Sequence, residues 1–85
     1  MRDILPTQRY VAELADLEAV HGDLSEAVIA VEWALMRDAG IGTPTPRAGV
    51  YAISTAEVAG SPVPLVFYYS YTARRVRLES VILAS

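Results

Sequence analysis

An 85-residue chain has room for one domain, residues 1–85, and a domain of that size buries only about 60% of the surface its unfolded chain exposes. Hydrophobic residues nonetheless make up 53% of it, above the usual share, so some apolar surface should be left over for a partner. Having no cysteine excludes disulfides and thiolate metal sites, a net charge of −3 argues against a general electrostatic grip on phosphate backbones, and no apolar run approaches the roughly 18 residues of a membrane span.

Arg2 to Leu5 reads as a short extended start, an optional first strand, and its charges with Pro6 do not make a signal peptide, so a cytoplasmic location is the expectation. Pro6 and Thr7 mark a helix N-terminus, with Thr7 able to cap the orphan amides that follow. Tyr10, Leu14, Leu17 and His21 then fall on one stripe, and His21-Gly22 ends the helix. Asp23-Leu24-Ser25-Glu26 opens a second helix that should reach about Ala39, where Gly40 supplies a stop.

The second helix carries two apolar stripes. Leu24, Val28, Val31 and Leu35 should meet a sheet, while Ile29, Trp33 and Met36 lie on roughly the opposite side. An antiparallel helical pair would put the first helix over that second stripe; a separate protein chain is the alternative, and the charged neighbours Glu26, Glu32 and Arg37 give Trp33 the look of an interface rim.

Gly40 to Gly49 is a loop punctuated by Pro44 and Pro46, Val50 to Thr55 reads as a strand, and Gly60, Ser61 and Pro62 make a turn. From Val63 to Thr72 apolar and polar residues alternate, and a second strand runs from about Arg75 to Leu83. With Ala73-Arg74 as a two-residue turn, Tyr71 faces Val76, Tyr69 faces Leu78, Phe67 faces Ser80 and Leu65 faces Ile82 on the buried side, and Tyr68, Ser70, Thr72, Arg75, Arg77 and Glu79 share the other. A longer turn with a bulge competes with this register. The element order gives an α+β fold: a two-helix hairpin packed on a small antiparallel sheet of three main strands plus the optional N-terminal one.

No chemistry announces itself. His21 is the only histidine and has no metal-ligand spacing around it, no glycine-rich phosphate loop occurs, and neither a metal nor a cofactor is expected. All seven basic residues are arginine, whose planar donor fork suits carboxylate or phosphate; Arg74, Arg75 and Arg77 cluster on the hairpin, where solvation of an exposed turn beside Glu79 is the plain alternative. Metal-free RNA cleavage could use Arg47, Tyr51, Tyr68, Arg75 and Arg77, the arginines facing phosphorane charge and tyrosine stacking a base or moving a proton.

Ile41-Gly42-Thr43-Pro44, the strand entry Gly49-Val50-Tyr51-Ala52, and Leu65-Val66-Phe67-Tyr68-Tyr69 through Arg75-Val76-Arg77-Leu78 resemble the RelE/ParE toxin superfamily over roughly Leu24 to Ala84. The resemblance implies a bacterial toxin of a type II toxin–antitoxin module, held inactive by a cognate antitoxin wrapped over helices and sheet. Leu65 stands where the ribosome-dependent ribonuclease branch commonly opens its penultimate strand with arginine, that branch's basic and aromatic residues after the last strand have no counterpart, and the chain is acidic. These departures align it with a ParE-like or degenerate member acting by protein contact on a target such as DNA gyrase, without direct nucleic-acid binding. The alternatives are a ribosome-dependent endoribonuclease using Arg47, Tyr68, Arg75 and Arg77, and a non-toxic relative that only binds a partner. Partner contact falls to Ile29, Trp33, Met36, Tyr68, Arg74, Arg75 and Arg77.

Overall fold

The structure, a computed structural model, describes residues 1–58 and 62–84. Its elements are β1 (Asp3–Pro6), α1 (Gln8–His21), α2 (Ser25–Arg37), a 3-10 turn (Ala39–Ile41), β2 (Thr43–Pro44), β3 (Tyr51–Ser54), the single-turn α3 (Thr55–Val58), β4 (Leu65–Tyr71) and β5 (Arg75–Leu83). The five strands form one sheet in the order β1-β5-β4-β3-β2. The α+β fold class is as expected and the optional N-terminal strand is present as β1, parallel to β5; the one addition is at the other rim, where two residues of the glycine-proline loop pair antiparallel with β3. The turn expected at Gly60-Ser61 lies outside the described residues.

The hairpin β4–β5 supplies the largest share of the core. Tyr71 pairs with Val76 and Tyr69 with Leu78, as the two-residue turn requires, and the Thr72 amide donates to the Arg75 carbonyl at 2.8 Å. One step further on the ladder shifts: Tyr68 pairs with Ser80, leaving Glu79 as an extra residue in β5. From there Phe67 faces Val81 and Leu65 faces Leu83, a correction to the Ser80 and Ile82 partners of an unbroken ladder. The bulge re-phases the strand so that Val76, Leu78 and Val81 are all buried, beside Leu65, Phe67 and Tyr69 of β4.

Helix α1 is fastened to this bulge. Thr7 accepts from the Tyr10 amide at 3.2 Å as N-cap, while its hydroxyl and amide donate to the Leu78 carbonyl at 2.9 and 3.1 Å, and the same hydroxyl reaches the Glu79 carbonyl at 3.3 Å. Two turns on, Glu13 accepts from the Ser80 hydroxyl at 2.7 Å and the Val81 amide at 3.2 Å. Backbone groups that an irregular strand strands without ladder partners are thus satisfied from the helix. Burial would raise the Glu13 pKa, but these bonds, with Arg9 3.4 Å away, hold it below the ordinary carboxylate value.

α2 ends at Arg37, two residues before the expected stop, because Asp38 leaves helical geometry and its carboxylate accepts from the Gly40 amide at 3.1 Å to start the 3-10 turn. At its other end Glu18 of α1 accepts from the Leu24 amide at 3.0 Å and Asp23 from the Ser25 amide at 2.9 Å, so the expected cap comes from residues ahead of the helix, with no return bond from Glu26. Leu24, Ala27, Val31 and Leu35 are buried. The opposite stripe is not covered by α1, which packs instead along β5: Ile29 is 52% and Trp33 51% exposed. β3 stops at Ser54 because Glu57 takes its amide at 2.7 Å and its hydroxyl at 3.1 Å, turning the chain into α3.

Tyr69 fixes the loop after α2. Its buried hydroxyl donates to the Ala39 carbonyl at 2.6 Å and accepts from the Gly42 amide at 3.0 Å, and a Cβ at residue 42 would run into that hydroxyl, which is why glycine stands there. Tyr69→Phe leaves both backbone groups without a partner in the interior, so it should cost about 2–3 kcal/mol in urea unfolding, against near-neutrality if the hydroxyl were idle. Because the native Glu13 pKa lies below its unfolded value, its contribution is complete above the ordinary carboxylate range and is lost as pH falls through the lowered native value. Glu13→Ala should therefore cost about 1–2 kcal/mol near neutral pH, discounted for partial wetting, with the gap to wild type closing on acidification when unfolding midpoints are compared.

Candidate functional site

The face of the sheet turned away from α2 is not covered by a helix layer. On it the alternation of the hairpin places Tyr68 and Ser70 of β4 beside Arg75, Arg77 and Glu79 of β5. A cleft of about 590 Å³ lies here, walled by Arg9 and Thr7 at the start of α1, by Thr45, Pro46 and Arg47 of the loop, and by Tyr68, Arg77 and Glu79 of the hairpin. Of the five residues singled out for RNA cleavage, Arg47, Tyr68 and Arg77 meet at one cleft, while Tyr51 packs against Tyr69 and Tyr71 on the core side. The fifth, Arg75, belongs to a neighbouring cleft of about 650 Å³ at the hairpin tip, with Arg74, Ser70, Thr72, Asp3 and Leu5; Arg77 lines both.

Each side chain has a local reason for its position. Arg47 rides a turn in which the Val50 amide donates to the Arg47 carbonyl at 3.1 Å, and Gly49 takes the φ of 80° that such a turn needs. The Thr45 hydroxyl braces that turn by donating to the Val50 carbonyl at 2.8 Å and accepting from the Arg47 amide at 3.2 Å. Glu79 keeps the open-face parity of Arg75 and Arg77, and it accepts from the Ser70 hydroxyl at 2.8 Å and pairs with Arg77 at 3.4 Å. Both contacts fall on Oε2, so Oε1 is open. The guanidinium groups of Arg47, Arg74 and Arg75 have no ion pair or hydrogen bond among the described residues.

Charge is sharply divided over the molecule. Five of the seven arginines line the two clefts, accompanied by only two of the ten acidic residues, Asp3 and Glu79, which gives this face +3 in a chain of −3. Most of the other acids ride on the helices. Sequence reasoning missed Arg9, which reaches the cleft only because Thr7 anchors α1 to β5, and it treated Glu79 solely as a solvation partner.

The other proposed contact residues lie away from this face. Trp33 lines a groove of about 390 Å³ with Ala30, Ala34, Ile41 and Val58, Met36 belongs to a recess with Met1, Arg2 and Ala73, and Ile29 is exposed and lines neither. Among the described residues no group of three histidine, cysteine, aspartate or glutamate side chains is placed to hold a metal, and no helix is long and apolar enough to cross a membrane.

No protein-family model and no curated protein matches the sequence. Solved structures do match the fold. YafQ from E. coli strain BL21(DE3) superposes with a TM-score of 0.69 at 14% identity, over 98% of this chain and 93% of that one. YafQ within an E. coli DinJ-YafQ complex gives 0.60 at 14% identity, over 98% and 93%, and within an E. coli DinJ-YafQ toxin-antitoxin complex 0.59 at 15%, over 96% and 91%. The chain thus has the RelE-like fold of YafQ, nearly end to end.

Proposed function

We propose that the chain is the toxin of a type II toxin–antitoxin pair and that its arginine-lined cleft cuts RNA. The observation that carries this reading is the segregation of charge: an acidic protein gathers five arginines on one sheet face, and three of them, Arg9, Arg47 and Arg77, surround Tyr68 and Glu79. Net charge alone argued against phosphate binding, but steering and capture depend on the local field. The fold shared with YafQ, which occurs in complex with DinJ, supports the antitoxin partnership.

The cleft holds what metal-free cleavage needs. The open Oε1 of Glu79 takes the proton of a ribose 2′-hydroxyl as its oxygen bonds to the adjacent phosphorus. The P–O5′ bond breaks, the Tyr68 hydroxyl returns a proton to O5′, and the products are a 2′,3′-cyclic phosphate and a 5′-hydroxyl. Arg9, Arg47 and Arg77 stabilise charge on the phosphorane oxygens. Protein contact, with gyrase as one target, is the second reading, favoured by the half-exposed Trp33. In the proposed arrangement Trp33 instead serves the antitoxin from the opposite side of the sheet.

Induced without its antitoxin, the wild-type protein should stop growth with transcripts cut to cyclic-phosphate ends, and Arg47→Ala or Glu79→Gln should reduce cleavage about 10²- to 10³-fold. Growth arrest with intact transcripts, broken DNA and filamentous cells would transfer the assignment to a protein target. Trp33→Ala should leave the protein folded at a cost of about 1–2 kcal/mol in thermal stability, since half of the ring is buried, yet weaken antitoxin binding about 30-fold in titration calorimetry, the signature of an interface hot spot.

A further inference from the structure

We propose that the second cleft, at the tip of the β4–β5 hairpin, is a binding subsite for the sugar-phosphate backbone of nucleotides flanking the cut, so that a single RNA strand lies along β5. This rests on the RNA-cleaving reading of the first cleft and assigns the path of its substrate. Three observations carry it. Arg77 lines both clefts, which makes them one continuous track. Arg75, Arg77 and Glu79 succeed one another on the same side of β5, so the track from tip to cleft is about 13 Å long at roughly 3.3 Å per residue, enough to seat more than one nucleotide.

The third observation concerns donors. Arg74 and Arg75 are exposed and their guanidinium groups have no ion pair or hydrogen bond among the described residues, although Asp3 lines the same cleft. A charge cluster serving only solubility has no need to converge on a 650 Å³ concavity. The backbone beneath is held firmly: the Arg74 and Arg75 amides donate to the Thr72 hydroxyl at 3.3 and 3.2 Å, so the two forks project from a fixed turn. Ser70 and Thr72 add hydroxyls beside the arginine forks, a donor set suited to phosphate and sugar.

Binding of 2′-O-methyl RNA, which lacks the nucleophile and cannot be cut, tests this by fluorescence anisotropy at low salt with a strand of about ten nucleotides and a trinucleotide. Arg74→Ala with Arg75→Ala should weaken the longer strand about tenfold and lower its salt slope by about 1.4, two phosphates at 0.7 each, while sparing the trinucleotide. The double lysine variant should recover most of the loss, whereas Arg47→Ala should weaken both probes. If the alanine pair leaves the long strand's affinity and salt slope unchanged while Arg47→Ala weakens it, the subsite is wrong and the cleft reading stands. If the alanine pair loses only a polyglutamate peptide, the tip serves an acidic protein segment and the inference is overturned. Wild-type protein that binds neither RNA removes the cleft reading itself.

Discussion

The bulge at Glu79 is the constraint on which the molecule turns. A nine-residue strand in strict alternation could bury Val76 and Leu78 or Val81, but not all three, because Val81 falls on the wrong parity. One inserted residue, Glu79, resolves the conflict by turning Val81 inward while its own carboxylate stays on the open face beside Arg77. The irregularity would be costly if the groups it frees stayed unpaired, and α1 prevents that through Thr7 and Glu13. Core packing, the seat of α1 and the acid of the cleft are therefore one arrangement seen from three sides.

Burial and charge are divided by the same alternation. The inward residues of β4 and β5 join Val31 and Leu35 of α2 in a dry core, while the outward ones meet Arg9 and Arg47, which approach from a helix and a loop far away in sequence. An overall charge of −3 describes neither side. The helical side, with its half-exposed tryptophan, has the composition of a protein-binding surface, and the sheet side that of an anion-binding one. Under the proposed function, two such surfaces on opposite sides serve an inhibitor and a substrate without sharing residues between them.

What the chain disclosed in advance followed the range of each interaction. Thr7, Gly22 and the turn at Ala73-Arg74 act through near neighbours and form as read, and the alternation over Val63 to Thr72 forms a strand over Leu65–Tyr71. The register beyond Tyr69 depended on satisfying Glu79 and Val81 from a helix more than sixty residues earlier, which no local pattern encodes. Helix α2 was read two residues too long because Asp38 closes a turn onto Gly40 that Tyr69 then pins. Arg47, Tyr68 and Arg77 were chosen for their chemistry and do converge, whereas Arg9 was overlooked and Arg75 placed one cleft too far in, since both depend on how α1 and β1 dock against β5.

The two rims of the sheet have a bearing on how such an oil-rich chain stays dispersed. β1 is four residues long and ends in Pro6; β2 is two residues long and consists of Thr43 and Pro44. Proline offers no amide to a newcomer, and strands this brief present few free groups for docking. The long ribbons β4 and β5 lie between them, with β1 covering the Arg75–Leu78 half of β5 and Glu13 of α1 occupying the Val81 amide further along. Fibrillar self-stacking is thereby discouraged by the architecture itself, leaving greasy helix-side contacts free to evolve toward a chosen companion.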